Sequence, residues 1–161
     1  MKRIPLTKGK EALVDDQDYG YLTQWQWHAA KGGKYAARDT RSFNRLRGTV
    51  VYMHDVIAAR NGMLGKIDHA NRNGLDNRRR NLRPATRSQN GANRGPQANN
   101  TSGHKGVVRV RNYWRAQIKV NGRFHSLDHF PPTEAGKIAA ARAYNRAAIE
   151  HFGAFAHLNP V

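Results

Sequence analysis

Cysteine is absent from the 161 residues, which excludes disulfides and every zinc site built on thiolates. Long apolar runs are also missing: none approaches the roughly 20 residues that a membrane helix needs. The basic N-terminus is not followed by the apolar stretch of a secretory signal, so a cytosolic protein with no membrane partner is expected. Acids are scarce, 11 against 28 lysines and arginines, which leaves a formal net charge of +17 and a pI near 11.1. Such a surface repels itself unless a polyanion is bound, and nucleic acid is the first candidate partner. The bland alternative is a basic but inert surface, as on many ribosome-associated proteins.

The length suits one ordinary domain or two small ones with marginal cores. From Ile4 to Leu46, short apolar pieces alternate with turn residues. Ala12-Leu13-Val14 reads as a strand, and Asp15, Asp16 or Asp18 could cap a short helix carrying Tyr19 and Leu22. Trp25 and Trp27, two apart, are expected on one face of a strand, in the core. Tyr35-Ala-Ala reads as a further strand after the Gly32-Gly33 turn. Thr49 to Met53 is β-branched and apolar, and is expected as a buried strand leading into a helix around Val56, Ile57 and Ala59.

Between Gly91 and Gly103 apolar periodicity is lost to Gly, Asn and Pro, the composition of a loop or linker. The boundary is drawn there: a first domain over 1–94, a linker over 95–103 and a second domain over 104–161. In the second, Gly106–Arg111, Trp114–Val120 and Phe124–Phe130 read as three strands, joined by Asn112-Tyr113 and by an Asn121-Gly122 hairpin turn. Thr133 then caps a helix with Ala139, Ala140, Ala143, Ala147, Ala148, Ile138, Tyr144 and Ile149 on its inner face, ended by Gly153. The expected class is α+β, the second domain being three antiparallel strands with a helix on one face.

The chemistry concentrates in Lys66 to Asn90. Ile67-Asp68-His69 reads as the end of a strand, Asn73-Gly74 as a turn, and Thr86 as the start of a short helix that projects Asn90 one turn later. A hard divalent cation such as magnesium takes oxygen ligands; Asp68 and the amide oxygen of Asn90 can supply two, with water and phosphate completing the shell. His69, next to Asp68 on a strand, points the other way and can act on a water. Arg72, Arg78, Arg79, Arg80, Arg83 and Arg87 surround these residues and suit phosphate contacts; Arg78 could instead pair with Asp76 or Asp68.

Tyr52-Met-His54, the block from Ile67 through Arg78, Asn81-Leu-Arg83, and Thr86 through Asn90 followed by Asn93 together resemble the HNH endonucleases of the ββα-metal fold, particularly phage and homing-type members. The resemblance spans about residues 50–94. It implies Asp68 and Asn90 as metal ligands, His69 as general base, and Asn81 as the middle Asn that pins the loop. It also implies magnesium, or manganese, and no small-molecule cofactor. The last position is Asn rather than the His that names the family, as in homing-type members. His54 matches a recurrent Met-His pair, but Asp55 follows where many relatives carry Arg, so a structural hydrogen bond is expected of His54.

Ser102 to Val107, Trp114 to Lys119, Leu127 to Phe130, and Ala140, Ala141, Tyr144 and Ala147 resemble the APETALA2-type DNA-binding domain. Alternation puts Trp114, Ala116 and Ile118 against the helix and Arg115, Gln117 and Lys119 on the open face, where Arg can read guanine and Gln adenine. Lys105, Arg109 and Arg111 join the expected DNA contacts, unless a register shift brings Val108 and Val110 to that face. Val108 and Ser126 stand where plant relatives carry Arg or Trp, so a target sequence does not carry over. The function implied is a metal-dependent endonuclease on double-stranded DNA, acting as monomer or dimer in the cytosol, the host's if phage-encoded. The alternatives are a non-cleaving DNA-binding regulator and an RNA-binding protein.

Overall fold

The structure, a computed structural model, describes residues 1–40 and 49–161. The last part of the Ile4–Leu46 stretch therefore lies outside the described residues. The described chain is mixed α and β, with several small sheets and four α-helices, and divides into two compact units, Met1–Ala85 and Thr86–Val161.

The first unit opens with an antiparallel hairpin, β1 (Lys2–Pro5) and β2 (Glu11–Val14), then helix α1 (Asp16–Leu22). An antiparallel sheet of β3 (His28–Ala30), β4 (Tyr35–Thr40) and β5 (Thr49–Tyr52) follows, with β4 central. Helix α2 (Met53–Arg60) leads to a second hairpin, β6 (Lys66–His69) and β7 (Leu82–Ala85), whose connection ends in a 3₁₀ turn at Arg79–Asn81. Ile4, Val14, Leu22, Trp27, Met53, Ile57, Ile67 and Leu82 share one core. Burying side chains of this size stabilises by roughly 1.5–3 kcal/mol each.

Three expectations fail here for physical reasons. Trp25 and Trp27 precede β3 in irregular chain; Trp27 is buried because its indole N–H reaches the Leu22 carbonyl at 2.8 Å, and Trp25 meets it edge-on at 6.4 Å. Strand β5 is not buried: among the described residues it pairs with β4 alone, Val50 is exposed, and of Thr49 to Met53 only Met53, at the start of α2, enters the core. On α2, Ala58 rather than Ala59 completes the inner face with Ile57.

The second unit begins with α3 (Arg87–Asn93), capped by Thr86, which accepts from the Gln89 N–H while Gln89 reaches back to the Thr86 N–H. Strands β8 (Val107–Val110), β9 (Tyr113–Val120) and β10 (Arg123–Phe130) form an antiparallel sheet with β9 central. Their hairpins turn at Arg111-Asn112 and Asn121-Gly122; φ is positive at Arg111 and at both residues of the second turn, as expected of tight two-residue loops. Helix α4 (Glu134–Phe152), capped by Thr133, covers one face with Ala140, Ala141, Tyr144, Ala147 and Ala148. Ile149, expected on that face, is exposed.

The stretch expected as a linker is partly helix and partly tied down. Helix α3 runs to Asn93, with Ala92 buried beside Ile118, Tyr144 and Phe152, so this helix packs with the second unit. Ser102 is buried and donates to the Val107 carbonyl at 2.8 Å, while Asn100 Oδ1 accepts from the Gly103 N–H at 2.7 Å.

Candidate functional site

Hairpin β6–β7 sets Asp68 directly opposite Arg83, and both donors of the guanidinium edge, Nε at 3.0 Å and Nη2 at 2.9 Å, bond Asp68 Oδ2. Alternation along β6 sends Ile67 and His69 to the other face, Ile67 into the core. Both Asp68 and His69 are buried.

The connection between these strands is held by its own amides. Asn71 and Asn73 make successive side-chain turns, accepting from the Asn73 N–H at 2.9 Å and the Leu75 N–H at 3.0 Å. Asn81 spans the loop: its oxygen accepts from the Asn71 N–H at 2.9 Å, and its NH₂ donates to the Asp76 carbonyl at 2.7 Å. Backbone bonds tie the loop to β2, from the Leu13 N–H to the Leu75 carbonyl and from the Asn77 N–H to the Leu13 carbonyl, each 2.8 Å. A Cβ on Gly74 would stand 2.6 Å from the Tyr35 ring, so the loop can pack this closely on β4 only with glycine there.

Asn77 decides which nitrogen of His69 is basic. Its NH₂ donates to the Leu75 carbonyl at 3.3 Å, which turns Oδ1 toward His69 Nε2, 3.3 Å away. An acceptor facing Nε2 requires the ring proton there, so Nδ1 is the nitrogen that can take a proton. Burial holds the His69 pKa below the usual histidine value, against the opposing pull of Asn77 and the nearby carboxylates. The neutral form therefore dominates at pH 7.

Sequence reasoning did not join the group of rings around His69. His54 meets it edge-on at 4.9 Å, Tyr35 lies 5.9 Å away, and Tyr52 stacks on His54 at 5.4 Å. The Lys31 ammonium lies over both Tyr35 and Tyr52, at 5.8 and 5.2 Å. Burial, then the charges of His69 and Lys31, push the His54 pKa down to about 4. Its Nε2 lies 3.4 Å from Asp55 Oδ1, whereas the buried Nδ1 has no hydrogen-bond partner among the described residues. The tyrosine-histidine contacts join β4, β5, α2 and β6; only the structure could reveal that.

The arginines divide into two groups. Arg78 grips buried Asp76 with bonds of 2.7 and 2.6 Å, one of the two options open from sequence, and holds that carboxyl below its usual pKa. Arg79 grips buried Asp18, and Arg83 takes Asp68. Arg72, at positive φ, and Arg80 are exposed in the first unit, and Arg87 is exposed at the start of α3. Asn90 is half-buried on α3, in the second unit.

On the second unit, Arg115, Gln117 and Lys119 face away from α4, with Val108 and Val110 beside them in β8. Arg109 lies on the opposite face, its guanidinium 5.0 Å over Trp114 and bonded to the Pro132 carbonyl. Arg111 sits in the first hairpin turn. Lys105 turns inward, its ammonium donating to the carbonyls of Gly91, Ala92 and Arg94 at the end of α3.

The sequence is 30 % identical to an uncharacterized HNH endonuclease of Acanthamoeba polyphaga mimivirus, over 96 % of this chain and 77 % of that protein. No family model matches, and no solved structure matches. That likeness along nearly the whole chain, together with Asp68 and His69 on a hairpin whose loop is pinned by Asn81, shows that the chain belongs to the HNH endonuclease family.

Proposed function

We propose that the protein is a metal-dependent endonuclease that hydrolyses phosphodiester bonds of double-stranded DNA to 5′-phosphate and 3′-hydroxyl ends. The observation that carries this is His69, buried, its pKa lowered by burial and its Nε2 facing Asn77 Oδ1, on the strand that also bears Asp68. Its Nδ1 takes a proton from water. The water oxygen bonds phosphorus, the bond to the 3′ oxygen breaks, and that oxygen takes up a proton from solvent.

Asp68 on β6 is a proposed ligand of a divalent cation, and Asn90 on α3 the second. Among the described residues no group of three His, Cys, Asp or Glu stands ready for a metal. Magnesium fits such a sparse set, because it keeps several waters and binds through one or two carboxylates plus substrate phosphate. When bound, the cation supplies charge neutralisation for the pentacovalent phosphate and the leaving oxygen. The open face of β8–β10, with Arg115, Gln117 and Lys119, is the proposed docking surface on the duplex, and exposed Arg72, Arg80 and Arg87 the proposed phosphate contacts.

A second reading, a DNA-binding protein that does not cut, is favoured by the Arg83 grip on Asp68, which occupies an oxygen that a cation would use. Cleavage of supercoiled plasmid with magnesium or manganese, beside His69→Ala and a gel-shift assay, separates the two. Metal-dependent nicked or linear product that disappears in His69→Ala while binding persists supports the nuclease. Tight binding without product under either metal supports the second reading.

A further inference from the structure

Lys31 occupies an unusual place for an ordinary surface lysine. It opens the connection between β3 and β4, where Lys31, Gly32 and Gly33 have φ of 48°, 69° and 81°. The turn closes by bonds of 3.0 Å from the Gly33 and Lys34 N–H groups to the Ala30 carbonyl. Glycine adopts this backbone at no cost, whereas a lysine pays of order 1 kcal/mol. The side chain that leaves this turn reaches a defined place.

That place is the edge of the His69 group. Lys31 Nζ and the His69 ring lie 5.8 and 5.9 Å from the centre of the same Tyr35 ring, and a second ring, Tyr52, lies 5.2 Å from the ammonium. The two tyrosine faces give the cation its local electrostatic support, and no carboxylate pairs with it among the described residues. The charge is felt inside the cluster, since it opposes protonation of His54. Arg78, Arg79 and Arg83 are each held by a buried carboxylate, whereas Lys31 is exposed and, among the described residues, pairs with none.

We propose that Lys31 binds a phosphate of the strand being cut, the scissile one or its immediate neighbour, and so sets the strand against His69. A compact ammonium over aromatic faces suits a point contact to a phosphodiester oxygen, and charge placed beforehand where negative charge develops is worth most in a water-poor site. This inference rests on the endonuclease reading above.

The test compares Lys31→Met, which keeps the stem and removes the charge, with Lys31→Arg and with Lys8→Met, a second exposed lysine at positive φ. Single-turnover cleavage of a duplex and the salt dependence of duplex binding are measured for each, with thermal unfolding to monitor the fold. Lys31→Met is expected to cut about 10- to 100-fold more slowly, to lose about 0.9 from the slope of log affinity against log salt, and to melt with the wild type. Lys31→Arg should recover most of the rate, and Lys8→Met should cut normally. Unchanged cleavage and salt slope in Lys31→Met overturn the proposal. A wild type that binds but never cuts sinks the endonuclease reading instead, and the salt slope then decides alone whether Lys31 holds a phosphate.

Discussion

Arg79 holds Asp18 across 61 residues of sequence, Nε to Oδ2 and Nη2 to Oδ1, both at 2.7 Å, and the carboxylate is fully buried. The same residue's N–H bonds Asp15 Oδ2 at 2.8 Å. A buried acid with this partner removed keeps its desolvation cost and loses its compensation. Arg79→Ala should therefore destabilise the first unit by about 3–5 kcal/mol, read as a lower urea midpoint. Arg80→Ala, at an exposed neighbour, should leave the midpoint in place and weaken DNA binding. Equal stability losses in both variants would refute the division of arginines drawn above.

Stability should fall with acid in a defined window. The folded pKa of His54 is about 4, below its unfolded value of about 6.5, and that of His69 is also lowered by burial. Between those values the unfolded chain binds more protons, so the contribution is complete above about pH 6.5 and is lost as pH falls toward 4. For His54 the full loss is roughly 3 kcal/mol at about 1.4 kcal/mol per unit. Chemical unfolding at pH 7.5 and 5 should show about 2 kcal/mol of it, and His54→Phe should flatten the profile. An equally steep profile in His54→Phe would assign the acid sensitivity elsewhere.

Lys105 closes the end of α3 by donating to three carbonyls that the helix cannot satisfy itself. Lys105→Met should leave the Gly91 and Arg94 carbonyls to water, the Ala92 carbonyl keeping the His157 N–H, and speed amide exchange across Arg87–Asn93, with about 1–2 kcal/mol lost from the second unit. Hydrogen exchange read by mass spectrometry reports this directly. Unaltered exchange there would return Lys105 to the DNA-contact role expected from sequence.

Gly106 has φ of 74°, and a Cβ on it would overlap the Tyr144 ring and stand 2.6 Å from the Gln117 carbonyl. Gly106→Ala should cost at least about 2 kcal/mol, because positive φ and overlap with packed atoms add. A melting temperature within 1 or 2 °C of wild type, on the scale of several degrees per kcal/mol, would contradict the close approach.

What was legible from sequence was what neighbours encode. Thr86 with Gln89, Thr133 with Gly136, and Asn121-Gly122 act within a few residues, and each is found where its local chemistry puts it. The strand placing Asp68 and His69 on opposite faces needed only a period of two. Arg78 and Arg79 read as phosphate contacts because nothing local distinguishes a basic residue that meets DNA from one that meets a buried acid; Asp18 enters only through the fold. Arg109 was turned by the register Arg109↔Trp114, which puts it on the α4 side. Trp27 is in the core as expected but not on a strand, because its indole bond to the Leu22 carbonyl lets an irregular segment enter the core. Lys31 gave no signal beyond the Gly32-Gly33 turn it precedes.

The seam between β2 and the loop at Leu75–Asn77 also orders events in time. The loop that fixes His69 is completed by partners more than sixty positions upstream: Asp15 and Asp18 for Arg79, and the Leu13 backbone for Leu75 and Asn77. Closing so large a circuit carries an entropic cost that short hairpins avoid, and contacts of this span form slowly. The loop around His69 is thus expected to close later than the local hairpins of the first unit.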